Sequence, residues 1–164
     1  MARQKVVLAD ASPLIGLARI GGLTWLRKLY GSVSVTREVR AEVSVAGQAG
    51  QPELAAAFRA RWLRQLRSAS VDPELSRLDA GEASTLRAAL ALGDRGLVIL
   101  DDFAARREAR RLGVEFIGTA GVIVEAKRTG LIDRAAPAFE RLTEEGFHLS
   151  EDLIHAILAE LGER

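Results

Sequence analysis

At 164 residues the chain is long enough for one domain with a substantial core, and 48% hydrophobic against 27% charged residues excludes disorder. Net charge is only +1, yet only three of the 23 basic residues are lysines (Lys5, Lys28 and Lys127) and the rest are arginine, whose fork matches phosphate. A GC-rich coding sequence gives the same bias, so the arginines alone name no partner. Cysteine is absent, which excludes disulfides, thiolate zinc sites and cysteine nucleophiles, and the two histidines, His148 and His155, are too few for a histidine-rich metal centre. Any metal is therefore expected to be a hard cation held by carboxylates.

Val6–Ala9 is a short apolar run, β-branched at its start, and reads as a buried parallel strand ending at Asp10. Only these four apolar residues follow the first five, so no export signal is expected, and the cytoplasm is the expected compartment. Ser12-Pro13 reads as a cap followed by the first helical position. A helix over Leu23–Leu29 and a strand over Val33–Val35 follow, then a helix capped by Thr36 and running to about Val45. Gly47–Pro52 reads as a flexible loop. Glu53–Leu66 starts as a helix, with a short edge strand near Leu63–Leu66 as the alternative for its end.

Asp79 and Glu82 stand at the two positions of a capping box, and Ala83, Leu86, Ala89 and Leu90 follow at helical spacing until Gly93. Leu97–Leu100 is a second buried-strand run, ending in Asp101 and Asp102. It is among the longest apolar runs, far short of the roughly 20 residues of a membrane span. A helix to Leu112, a strand Val114–Ile117 and a helix Ala120–Arg128 come next. Asp133–Glu145 and Ser150–Leu161 complete the chain as two helices.

Strands alternating with helices imply an α/β fold, a parallel sheet covered on both faces. In such sheets the site forms at the carboxyl ends of the strands. Asp10 and the Asp101-Asp102 pair both stand where a buried strand stops, and Glu42 and Glu82 lie on helices that can reach the same rim. Gathered carboxylates repel, and a divalent cation removes the conflict. Each acid also has a plainer role. Asp79 and Glu82 can serve only the capping box, Asp102 only the following helix, and Glu38 only the helix dipole. Asp10 is hardest to explain so, because Ser12 already offers a cap. His148 and His155 read as structural. Trp25, Trp62, Phe58 and Phe139 read as core. Arg106, Arg107, Arg110 and Arg111 form either a solvated face or a phosphate-holding one.

The pattern Asp10-Ala-Ser12-Pro-Leu-Ile, then Val39-Arg-Ala-Glu42-Val, then Leu78-Asp-Ala-Gly-Glu82-Ala, then Leu100-Asp101-Asp102 resembles the PIN-domain nucleases, and covers most of the chain. It looks most like a toxin-like prokaryotic branch, which also carries stretches like Arg106…Ala109-Arg-Arg-Leu-Gly113, Gly118-Thr-Ala-Gly121-Val and Ala126-Lys127…Gly130-Leu-Ile132. The resemblance implies a three-layer α/β/α fold with a central parallel sheet of four or five strands. The whole of 1–164 would then be a single domain, with the helices of about 133–161 packed on or extending it. It implies acids at Asp10, Glu42, Glu82 and either Asp101 or Asp102, the last slightly favoured, binding magnesium or manganese for cleavage of single-stranded RNA. Ser12, Arg106, Arg110 and Thr119 are the expected substrate contacts. A cognate antitoxin protein and a homodimer are the expected partners, with no membrane.

Two other enzyme classes place acids at strand ends. A phosphoacceptor receiver needs a lysine at a later strand end, but Lys127 lies in an expected helix. A haloacid-dehalogenase-type phosphatase needs Asp-x-Asp on the first strand, and Ser12 occupies its second position. The remaining alternative is a PIN-fold module that binds RNA or protein without cutting.

Overall fold

A computed structural model describes residues 4–67 and 72–163. The strands are β1 (Val6–Ala9), β2 (Val33–Val35), β3 (Leu63–Gln65), β4 (Gly96–Ile99) and β5 (Glu115–Ile117). They form one sheet in the order β3-β2-β1-β4-β5, every neighbouring pair parallel. The chain steps outward from β1 through β2 to β3, then crosses back to β4 and continues to β5. Strand order therefore reverses at β1 and β4, the place where an open α/β sheet forms its crevice.

Alternation along the strands supplies two cores. Val7 and Ala9 of β1, Val33 and Val35 of β2 and Ile99 of β4 face one side. There they meet α1 (Ala11–Arg19), α2 (Leu23–Tyr30), α3 (Arg37–Val43), α4 (Gln51–Arg59), α7 (Thr119–Arg128) and α8 (Ala136–Glu144). Leu8, Val98 and Leu100 face the other side, against α5 (Ala80–Leu92) and α6 (Phe103–Leu112). This is a three-layer α/β/α fold with a five-stranded parallel sheet. Fully buried side chains such as Leu14, Leu26, Leu86 and Phe139 each contribute about 1.5–3 kcal/mol. Trp62 is buried, and Trp25 and Phe58 pack partly buried against the first core, as core residues should. His148 and His155 are exposed.

The last helix, α9 (Glu151–Glu160), lays Ile154, Ile157 and Leu158 on the first core. Beyond it the Glu163 carboxylate accepts from the Ala135 and Ala136 N–H groups at 2.7 and 2.9 Å, satisfying the otherwise uncapped start of α8. Among the described residues, no helix is long and apolar enough to cross a membrane.

Several boundaries differ from the sequence expectation. The N-cap of α1 is Asp10, not Ser12: helical geometry begins directly after the strand, so Ser12 and Pro13 fall inside the first turn, where a missing N–H costs nothing. Helix α4 likewise begins at Gln51, inside the expected loop, because Gly50 at φ 87° turns the chain and Pro52 sits in the first turn. It ends at Arg59, and Arg61 at φ 63° reverses the chain into β3, so the edge strand, not a longer helix, completes this segment. Helix α3 stops at Val43, α7 starts at Thr119 and α8 covers only Ala136–Glu144.

Candidate active site

Asp10 continues the ladder of β1, its N–H donating to Ile99 O at 3.0 Å. It occupies the N-cap of α1, yet its side chain makes no capping bond to that helix. At 5% exposure it is a buried acid at the carboxyl end of the central strand. Burial, foremost, pushes its carboxyl up to about 7. The Ala11 N–H pulls it down, and the charges of Glu82, Asp79 and Glu42 raise it further.

Glu82 and Asp79 form the complete capping box of α5. The Glu82 N–H donates to Asp79 Oδ1 at 2.8 Å, and the Asp79 N–H donates to Glu82 Oε2 at 3.2 Å. Partial burial pushes Glu82 up to about 7; the Asp79 N–H lowers it, and Asp79, Asp102 and Glu42 raise it. Glu42, on the exposed side of α3, is also raised, by desolvation first and then by Asp79. Asp10 thus lies in the field of Glu82, Asp79 and Glu42, and Glu82 in that of Asp79, Asp102 and Glu42.

Gly81 lies between the two box residues. A Cβ built there would collide with Glu42 Oε1 and come within 3.4 Å of Asp10 Oδ1. The two carboxylates therefore both lie close over the Gly81 backbone, Glu42 the nearer. Helix α5 is held in this position by a chain of hydroxyls. Ser84 Oγ donates to Gly81 O at 2.9 Å, so the 2.8 Å bond between Thr36 and Ser84 runs from Thr36 Oγ1 to Ser84 Oγ. Thr36 in turn accepts from the Val39 N–H at 3.2 Å. Thr85 donates to the same Gly81 carbonyl at 2.7 Å.

The two acids after β4 part company. Asp102 caps α6, accepting from the Ala105 N–H at 2.9 Å, and remains within electrostatic reach of Glu82. Asp101 turns the other way. Thr119 donates to it twice, from N–H at 2.8 Å and from Oγ1 at 2.5 Å, and Arg106 Nη2 lies 3.4 Å away. Arg106 also donates to Leu100 O at 2.8 Å. Gly118 leaves room for this guanidinium; a Cβ there would collide with it. Of the expected substrate contacts, Ser12 is exposed at the start of α1 and Arg110 lies over the Phe116 ring at 5.1 Å, while Arg106 and Thr119 are engaged with Asp101.

Among the described residues, no three acidic or histidine side chains stand close enough to enclose a metal ion between them. The donor set is nonetheless all oxygen, and magnesium binds through one or two carboxylates while keeping several waters. Asp10 and Glu42, both close over the Gly81 backbone, supply a pair of carboxylates of that kind.

Gly81, Thr36 and Ser84 are contributions that sequence reasoning did not assign. Thr36 and Ser84 are 48 positions apart, and no spacing rule joins them. Gly81 carried a signal: a glycine in the first turn of a good helix costs about 1 kcal/mol against alanine and suggests a close approach.

A family model described as a PIN domain matches residues 6–163. No curated protein matches the chain. PIN domains have a nuclease-type fold and are generally hydrolases. With nearly its whole length matched and its acids at the switch point of a parallel sheet, the chain belongs to the PIN-domain family.

Proposed function

We propose that the chain is a magnesium- or manganese-dependent endoribonuclease that cleaves single-stranded RNA. The observation that carries this reading is the Asp10–Gly81–Glu42 arrangement. A buried acid held above its ordinary range stands beside a second carboxylate, packed so closely over the Gly81 backbone that a side chain there would collide with it. Like charges gathered there leave a deficit that a hard cation makes good.

Asp10 and Glu42 are the side chains that would hold the ion, with Glu82 and Asp102 adding charge at the rim. When bound, such an ion supplies charge neutralisation for a phosphodiester and acidifies its own water. The chain's own residues set the stage for that chemistry. The box orients Glu82, and the Thr36–Ser84 link fixes the height of Gly81. Asp101 acts as a positioning residue, tying α7 to the end of β4. Ser12, Arg106, Arg110 and Thr119 are proposed contacts for the sugar–phosphate backbone, Arg106 and Thr119 through the Asp101 network. The toxin-like resemblance supports a cognate antitoxin protein as partner and a pair of identical copies as the assembly. We also read the chain as one domain acting in the cytoplasm.

The test is cleavage of an end-labelled single-stranded RNA by the purified chain with magnesium, manganese or a chelator. Cleavage is expected with either metal and not with the chelator. Asp10→Asn should lower it by about 1,000-fold, the scale of losing a key electrostatic group. RNA binding with no cleavage under any metal would make the chain a non-catalytic module, and wild-type cleavage by Asp10→Asn would remove Asp10 from the site.

A further inference from the structure

We infer that Phe103 is a stacking platform for a nucleobase of the single strand bound at the acidic rim. The inference rests on the nucleic-acid reading above and adds a substrate-positioning residue to it. Three large apolar side chains are exposed among the described residues, and Phe103 is the most exposed at 76%, against 55% for Val45 and 44% for Leu153. Its place in the fold gives that exposure a use. It is the first residue of α6, directly after Asp102, whose charge is felt by Glu82.

Helix α6 buries Ala105 and Ala109 on its inner face. Phe103, Arg107 and Arg110 fall at i, i+4 and i+7, so they share an outer stripe running away from the acids. All three are exposed. An aromatic face followed by cations along one stripe is the combination with which proteins hold single strands: bases stack on the ring, and the charges follow the phosphates. Every base has a π-face, so the contact adds grip beside the acids without demanding a sequence. Packing offers no competing account, since the ring lies on neither core.

The test uses Phe103→Ala, Phe103→Leu and Phe103→Trp with a single-stranded RNA as substrate. Alanine and leucine should raise KM by roughly 5- to 150-fold, the range of one lost base stack, with kcat unchanged. Tryptophan should restore KM, and leucine should not, because it replaces the apolar surface without the ring. A second readout uses the Asp10→Asn protein and an RNA carrying 2-aminopurine. Its fluorescence should be quenched on binding, and not when Phe103→Leu is added. Wild-type KM in the alanine and leucine variants would overturn the inference, as would an unquenched probe. A change in sedimentation with KM unaltered would overturn it too, assigning the ring to a protein interface. If the wild-type chain cleaves no RNA, the nuclease reading fails by itself, and the quenching measurement still decides whether Phe103 stacks.

Discussion

Asp10 and Asp101 follow neighbouring parallel strands at the same edge of the sheet, but their surroundings differ in kind. Asp101 has a cation at 3.4 Å and two donors from Thr119, so its charge is answered within the protein. Among the described residues Asp10 has only the Ala11 N–H in its favour, and three further acids raise its carboxyl. One region is a finished structural joint between α6, α7 and the sheet. The other holds repulsion that the fold tolerates because packing elsewhere outweighs it. Local discomfort of this kind concentrates where a protein meets a ligand.

The sharpest way to break this contrast is Gly81→Ala. The new methyl group would collide with Glu42 Oε1 and push that carboxylate away from Asp10, and metal-dependent cleavage should fall by about 100-fold, as for a misplaced reacting group. Melting temperature should hold or rise, because alanine favours the helix and the atom it meets is the mobile end of Glu42. A fully active Gly81→Ala enzyme would mean that the placement of Glu42 beside Asp10 is not used.

Next in size is the pH response of the metal-free protein. Folded Asp10 and Glu82 keep their protons to about pH 7, whereas the unfolded chain releases them near 3.8 and 4.5. The folded state therefore binds more protons in between, and stability should decline as pH rises from about 4 to 7. Asp10→Asn should flatten that decline and be the more stable protein at pH 8, by on the order of 2 kcal/mol. Melting curves in chelator across this window give the answer; parallel curves for both proteins would contradict it.

On the satisfied side, Thr119→Val removes one of the two Thr119 donors to Asp101 and should cost about 1.5 kcal/mol in thermal unfolding. Because Thr119 is also a proposed backbone contact, the change should weaken cleavage a few-fold, well short of the effect of Gly81→Ala. A dead but equally stable Thr119→Val enzyme would reverse the assignment of the two regions. The smallest change is expected from Asp79→Ala, about 1 kcal/mol for a lost cap with most cleavage retained, while Glu82→Gln keeps the box and loses activity. An active Glu82→Gln beside an inactive Asp79→Ala would exchange their roles.

What could be read from the sequence follows the range of the interactions. β1 showed itself through a four-residue apolar run, and the α5 box through two acids three apart, because both are local. The reversal at Arg61 was hidden, since pairing of β3 with β2 decides it, and the start of α4 was hidden because Gly50 and Pro52 serve a loop and a helix start alike. Among the acids, Asp10 could be placed at the rim from its strand end, and Glu42 and Glu82 from helices that follow the sheet's crossovers. The separation of Asp101 from Asp102 could not be read this way, because it depends on Thr119, 18 residues further on. Gly81 stood in plain view between two acids, but only the position of Glu42 explains it.

The sheet's outer strands bear on how copies of the chain can meet. β3 and β5 are three residues each, and their exposed positions carry Arg64 and Gln65 on one edge and Glu115, paired to Lys5 at 2.6 Å, on the other. A strand added at either side would gain only a few ladder bonds and would bury a charge to obtain them. Growth by edge-to-edge addition is therefore disfavoured at both ends of the sheet. A second copy of the chain would have to meet the first through its helical faces instead.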